Sequence, residues 1–158
     1  CVYKNEVISS TRIRKSLEDG KVLDASKMLG LPYTLRGEVV HGKKIGRTIG
    51  FPTANLKYDK NFILPKDGVY YTNVKVNNNI YKGITSVGNN PTVKGEILTV
   101  ETYILDFDKD IYGVQINISF IKKIRDNKKF NSLEELKNQL EKDKSFANNE
   151  NYVSSKII

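Results

Sequence analysis

The residues best suited to chemistry fall in one stretch, positions 41–55, His-Gly-Lys-Lys-Ile-Gly-Arg-Thr-Ile-Gly-Phe-Pro-Thr-Ala-Asn. Gly42, Gly46 and Gly50 recur at intervals of four, with Lys43, Lys44 and Arg47 between them. Glycine lets backbone amides approach an anion without a Cβ in the way, and the cations supply opposite charge. Pro52 then fixes the backbone just ahead of Thr53 and Asn55. Their hydroxyl and amide oxygens, two residues apart on an extended chain, point to one side. Neutral oxygen ligands suit a Mg²⁺ ion shared with a phosphate, which brings its own negative charge. On residue types alone, the stretch reads either as a phosphate-and-magnesium site or as a basic surface loop.

A second candidate is Glu101, in the run 98–105, Leu-Thr-Val-Glu-Thr-Tyr-Ile-Leu. Alternation puts it on one face with Thr99, Tyr103 and Leu105, opposite Val100, Thr102 and Ile104. Taken alone, such an acid reads as a solvated group on an exposed strand face. In a pocket, where burial makes a carboxylate more basic, it would suit proton abstraction from an alcohol. The run Asp106-Phe107-Asp108-Lys109-Asp110 begins like a calcium loop but lacks the rest of one. The glycine is Gly113 instead of the sixth position, and Asn117 stands where a bidentate Glu belongs, so a polar turn is expected. His41 has no Ser, Cys or Asp arrangement around it that would make a triad.

The elements that must position these groups are mostly strands. From Thr34 onward the apolar pattern has period two, and it predicts strands over 35–41, 53–57, 69–76, 80–87, 97–105 and 114–121. In the last, Val114, Ile116, Ile118 and Phe120 alternate with Gln115, Asn117 and Ser119. Asn77-Asn78-Asn79 supplies residues that tolerate the positive φ of a tight hairpin. Six short strands separated by turn signals predict a small antiparallel barrel. The glycine-rich stretch then connects two strands. It is not the strand-to-helix loop of a P-loop, lacks that motif's Gly-Lys-Ser/Thr ending, and lacks the dinucleotide Gly-x-Gly-x-x-Gly spacing.

Helices are predicted at both ends. Ser9, Ser10 and Thr11 can cap a helix continuing from Arg12 to Asp19, with Gly20 as its stop, and a second runs over 22–29 to Gly30. Such a pair is too small to fold alone and must pack on something. Near the other end, Ser132-Leu133-Glu134-Glu135 forms a capping box, with Glu135 reaching back to the Ser132 amide. Leu133, Leu136 and Leu140 give the following helix an apolar stripe expected to dock on the barrel wall. No structure is expected from Asn148 onward.

Composition narrows the function classes. The chain has 158 residues, 39% of them apolar and 28% charged, as expected of one globular domain with a short appendage. No apolar run approaches the roughly 18 residues a membrane helix needs, and no secretory signal opens the chain. A single Cys excludes an internal disulfide framework and suits a reducing cytoplasm, and with a single His it leaves no ligand set for zinc. Cys1 in place of a Met suggests a start inside a longer protein. The net charge of +8 comes from lysines spread along the whole chain. They are not interleaved with aromatics on one strand, so neither nucleic acid nor membrane is expected as a partner. An acidic nucleotide would gain from the same charge.

The order of these residues resembles the riboflavin kinase family. Val39-Val40-His41-Gly42, Gly46-Arg47 and Gly50-Phe51-Pro52-Thr53-Ala54-Asn55-Leu56 look like its signature. Further matches follow in order: Leu64-Pro65 to Gly68-Val69-Tyr70, Gly88 to Pro91-Thr92, Val100-Glu101, Leu105 to Asp108, Tyr112-Gly113 and Phe130 to Glu134. They cover about residues 31–143. The run Ile8-Ser9-Ser10-Thr11-Arg12-Ile13-Arg14 resembles the close of the nucleotidyltransferase domain in bacterial bifunctional riboflavin kinase/FMN adenylyltransferases. There the Ser/Thr cluster at a helix start helps hold ATP phosphates.

The resemblance implies a mainly β fold, a six-stranded antiparallel Greek-key barrel with a C-terminal helix and a short N-terminal helical segment. It divides the chain into a nucleotidyltransferase remnant over 1–30, the kinase barrel with its helix over 31–145, and a tail over 146–158. The implied reaction transfers the γ-phosphate of ATP to the ribityl 5′-hydroxyl of riboflavin, giving FMN and ADP with Mg²⁺ as cofactor. By position, Gly42, Gly46 and Arg47 would lie at the phosphates, with Phe51 beside them, and Thr53 and Asn55 would hold Mg²⁺. Glu101 would be the base. Asp106 and Tyr112, in the stretch 105–113, would lie near the nucleotide base, and Arg125 with the segment to Phe130 on the flavin side. The adenylyltransferase domain is the implied missing partner, so this chain should not make FAD. A flavin-binding barrel without catalysis is the alternative. Two departures stand out: Arg125-Asp126-Asn127 replaces a frequent Arg-Pro-Glu, and Arg47 stands where some members have Lys, a point charge instead of a fork.

Overall fold

The computed structural model describes residues 1–40, 50–92 and 95–150, with side chains described throughout except at 89–92 and 95–97. All six predicted barrel strands form. They are β3 (Tyr33–Val40), β4 (Ala54–Tyr58), β5 (Gly68–Val76), β6 (Asn79–Thr92), β7 (Gly95–Ile104) and β8 (Gln115–Arg125). They close into an antiparallel barrel in the order β3-β4-β7-β6-β5-β8. β6 and β8 run several residues beyond their predicted ends, because one neighbour continues the ladder where the alternation in sequence fades: β7 pairs with Gly88–Thr92 of β6, and β5 with Lys122, Lys123 and Arg125 of β8.

Alternation sorts the side chains into an inner and an outer set. Leu35, Val39, Leu56, Tyr70, Val74, Val87, Val100, Ile104, Ile116, Ile118 and Phe120 fill the interior, with Tyr70 and Phe120 packed edge to face at 5.3 Å. Three threonines sit among them. Thr72 and Thr85 share a hydroxyl hydrogen bond of 2.8 Å, as do Thr85 and Thr102, which satisfies groups that would otherwise be costly to bury. Gly37 and Gly83 leave room for this packing: a Cβ on Gly37 would stand 2.3 Å from the Lys57 carbonyl oxygen.

The N-terminal helices α1 (Ser10–Glu18) and α2 (Val22–Leu29) form as predicted. Ser9 caps α1 by accepting from the Arg12 amide at 3.2 Å, and Gly20 and Gly30 both take positive φ. The pair does pack on something: Leu17, Val22 and Ala25 belong to the same buried cluster as the barrel interior. Ahead of them lies a hairpin, β1 (Val2–Tyr3) and β2 (Glu6–Val7), turned by Lys4 and Asn5 at positive φ. Arg12 braces it, its Nη2 donating to the Tyr3 carbonyl at 2.7 Å and its Nη1 to that of Glu6 at 2.8 Å.

The C-terminal helix α3 (Leu133–Asn149) departs from expectation in three ways. It runs past the boundary at 145 and past Asn148. It docks through its second half, where Ala147 and Phe146 pack on Val69, Tyr71, Ile84, Leu105 and Ile121 of the outer barrel face. The Leu133, Leu136, Leu140 stripe lies at the more open end, with Leu133 54% exposed. Spacing alone could not show that only half of the helix meets the wall. In the capping box, Glu135 accepts from the Asn131 amide, one residue earlier than predicted, while its own amide donates to Ser132 Oγ.

Candidate active site

Glu101 lies on the outer face of β7, between β4 and β6. The register places it directly opposite Asn55 of β4 on one side and Ser86 of β6 on the other. Directly opposed residues in an antiparallel pair lie about 4.5–5.5 Å apart at Cα and project to the same face. Asn55, Glu101 and Ser86 therefore form one row across three strands, and all three are half-buried. Behind them, Ala54, Thr102 and Thr85 form the matching inner row. Glu101 is thus neither sunk in the core nor fully solvated. It sits on a wall whose interior is rigidly packed.

Around this row stand several of the groups picked out from sequence. Phe51 is buried and its ring packs on that of Tyr103 at 5.1 Å, two residues along β7 from Glu101 and on its face. Thr53 stands one residue before β4, half-buried, on the same side of the strand as Asn55 by alternation. Asn55 also pairs with Val40, the last residue of β3, from which the glycine-rich stretch departs. Gly42, Gly46 and Arg47 themselves lie outside the described residues.

The connection from β7 to β8 meets the same end of the barrel. The Gly113 amide donates to the Val39 carbonyl at 2.8 Å, and the Val39 amide to the Val114 carbonyl at 3.0 Å. Asp106, at φ 55°, and Tyr112 are both exposed on this connection, and the Tyr112 amide donates to Asp110 Oδ1 at 3.0 Å. The stretch is a set of tight turns, as expected, and among the described residues no cluster of three acidic, His or Cys side chains could hold a metal ion.

On the other flank, the segment that follows β8 crosses toward β6. Asn127 Nδ2 donates to the Val87 carbonyl at 2.8 Å, and Ser86 Oγ lies 3.4 Å from Asn127 Oδ1. Lys123, hydrogen-bonded to Asp126, holds the Asp126 carboxyl below its ordinary range. Arg125 turns to Asp143 of α3 on the outer face. Its Nε lies 3.0 Å from Asp143 Oδ1 and its Nη2 2.9 Å from Oδ2, while the guanidinium carbon is 5.9 Å from the centre of the half-buried Phe130 ring.

Sequence reasoning missed Ser86 and Asp143 as neighbours of the site, whereas alternation did place Tyr103 on the Glu101 face. Ser86 carries no local signal, since only the β6–β7 register brings it opposite Glu101. Asp143 had a faint one, an acid four residues after Gln139 beside the buried Ala147, masked by the more obvious leucine stripe.

Comparison with known proteins bears on the family and the fold. The flavokinase (riboflavin kinase) family model matches residues 29–150. The chain belongs to the riboflavin kinase family. A bifunctional riboflavin kinase/FMN adenylyltransferase of Listeria monocytogenes is 45% identical over 140 residues, covering 88% of this chain and 45% of that protein. Its Bacillus subtilis counterpart is 42% identical over 147 residues, 91% of this chain and 46% of that protein. The chain thus spans less than half the length of these relatives. Among solved structures, riboflavin kinase from Trypanosoma brucei superposes with a TM-score of 0.54 at 32% identity, covering 74% of this chain and 78% of that one. A Streptococcus pneumoniae chain described as a macrolide-efflux protein superposes with a TM-score of 0.90 at 43% identity, covering 94% of this chain and 49% of that one. Among the described residues no helix is long and apolar enough to cross a membrane.

Proposed function

We propose that this riboflavin kinase family chain phosphorylates riboflavin at its ribityl 5′-hydroxyl, with ATP as donor, giving FMN and ADP. The observation that carries the reading is the Asn55–Glu101–Ser86 row. It sets a carboxylate between β4, which carries Asn55, and β6, to which Asn127 of the 126–130 segment is tied. The phosphates then belong on the β4 side and the flavin on the β6 side.

Glu101 accepts the proton of the 5′-hydroxyl as its oxygen bonds to the γ-phosphorus and the bond to ADP breaks. Phosphoryl transfer needs alignment and charge neutralisation more than covalent help. Gly42, Gly46 and Arg47 are the groups proposed for the phosphates, Phe51 for the adjoining wall, and Asp106 and Tyr112 for the nucleotide base. Thr53 and Asn55 would hold Mg²⁺. Two neutral, half-buried oxygens with no acidic cluster among the described residues fit an ion that shares its coordination with substrate phosphates and water. When bound, the ion neutralises charge on the transferring phosphoryl group.

The FMN adenylyl transfer named for the longer relatives is assigned to the part of them that this chain does not match, with residues 1–30 as its structural border. ATP use and the single Cys suit a cytoplasmic setting. Incubation with riboflavin and Mg-ATP should yield FMN and ADP in equal amounts by chromatography, and omission of Mg²⁺ should abolish both. Flavin binding without conversion would overturn the kinase reading in favour of a binding barrel.

A further inference from the structure

We propose that Asp143 of α3 is a positioning residue for the flavin side of the site, acting through Arg125 on the 126–130 segment. The proposal rests on the kinase reading above and extends it to a residue with no assigned role. Asp143 is only 1% exposed, on a helix that otherwise docks through the apolar Ala147 and Phe146 and through its C-terminal carbonyls, which accept from Lys82 Nζ. Its carboxylate accepts from Arg125 Nε and Nη2 and from Gln139 Nε2 at 3.1 Å, so both oxygens are occupied. A forked guanidinium–carboxylate pair fixes orientation as well as charge.

Arg125 passes that orientation on. Its Nη1 donates to the Asp126 carbonyl at 3.1 Å, and its guanidinium faces the Phe130 ring. Both ends of the segment 126–130 are therefore held by one side chain. Asn127, between them, is tied to the Val87 carbonyl and lies beside Ser86, the cross-strand neighbour of Glu101. The chain of contacts runs from Asp143 to Arg125, to the segment, to Ser86, and ends beside the proposed base. A buried ion pair is a poor way to add stability, because desolvation offsets most of the attraction and apolar replacements often do as well. Its use here, with Nε and Nη2 fixed by Asp143 so that Nη1 meets the Asp126 carbonyl, is explained by geometry. With its Nε and Nη2 on Asp143, Arg125 orients the flavin wall and does not itself grip the flavin.

The test compares Asp143→Asn, Asp143→Glu and the double variant Arg125→Met with Asp143→Leu. The double variant removes the pair without stranding a charge, so it keeps the fold even where Asp143→Asn alone does not. In the double variant the KM for riboflavin should rise roughly ten- to a hundredfold, the scale of a misplacement of about 1 Å, with the KM for ATP changed less than about twofold. Asp143→Glu should recover part of the loss. Hydrogen exchange of amides 127–130 should quicken in the double variant while the β5 and β8 amides stay protected. Wild-type riboflavin KM in a folded double variant overturns the positioning role and leaves the kinase reading intact. Failure of the unaltered protein to make FMN overturns the kinase reading, and unchanged exchange at 127–130 overturns the positioning role whatever the activity.

Discussion

Replacing Glu101 by Gln keeps the size and hydrogen-bonding reach of the side chain and removes its ability to take a proton. The position is half-buried on an outer strand face, with Val100 and Thr102 on either side of it facing the core, so the fold has little reason to change. Loss of a positioned general base costs about 10²–10⁴ in rate. At 1.36 kcal/mol per factor of ten, that is about 3–5 kcal/mol of transition-state stabilisation. The loss should fall on kcat and leave the KM for ATP near its wild-type value, because the proposed metal ligands Thr53 and Asn55 and the proposed phosphate groups belong to other parts of the chain than β7. FMN formation in saturating Mg-ATP, followed by chromatography, reads kcat. Thermal melts of both proteins show whether the fold is shared. Turnover by a folded E101Q protein within roughly tenfold of wild type refutes the role of Glu101 as base, since orientation and charge neutralisation would then be doing nearly all of the catalysis.

Thr53→Ala and Asn55→Ala should each raise the Mg²⁺ concentration needed for half-maximal rate and lower kcat, and an unchanged Mg²⁺ titration would remove them as ligands. Gly37→Ala would place a Cβ 2.3 Å from a backbone oxygen, so strain of about 1–3 kcal/mol should lower the melting temperature by several degrees. Burial pushes the Tyr70 phenol well above its ordinary value, and burial raises Tyr33, Tyr58 and Tyr71 as well. The unfolded chain loses these protons first, so the stability they contribute is complete below about pH 10 and falls as the pH rises beyond it. Alkaline titration followed by tyrosine absorbance should show these phenols ionising together with loss of the fold, and their independent ionisation in a folded protein would contradict the packing.

The barrel was legible in the sequence because most of its signals are local. Val114 to Phe120 alternate cleanly, and an Asn pair marks the β5–β6 turn, where Asn77 and Asn78 both take positive φ. The helix stops at Gly20 and Gly30 were equally local. What could not be read was register and docking. The Asn55–Glu101–Ser86 row joins residues 46 and 15 positions apart in the chain, and only closure of the barrel decides that they meet. Likewise the helix stripe at Leu133, Leu136 and Leu140 was a sound amphipathic pattern, but the wall begins further along, where Phe146 and Ala147 find the outer cluster. The hairpin at the N-terminus was missed because two residues a side, turned by Lys4-Asn5, carry almost no pattern.

The location of the site follows from how the interior is used. A barrel of this size either holds a small ligand inside or fills its interior with side chains. Here Tyr70 and Phe120 span the interior, and the hydroxyls of Thr72, Thr85 and Thr102 are satisfied by one another. No buried polar group in that row is left facing inward for a substrate to claim. The proposed substrate site lies on the outer wall, and an open wall gives little enclosure by itself. Enclosure has to come from segments laid over β4, β7 and β6, which gives the segment after β8 its role. Held by Arg125 and Asn127 at one flank of Glu101, it would supply the proposed fixed side for the flavin, while the strand row beneath keeps the proposed base in register with Asn55. The rigid threonine-lined interior and the braced outer segment are two halves of one requirement. Phosphoryl transfer depends on placement to within a fraction of an ångström, and neither a packed barrel nor a loop alone would provide it.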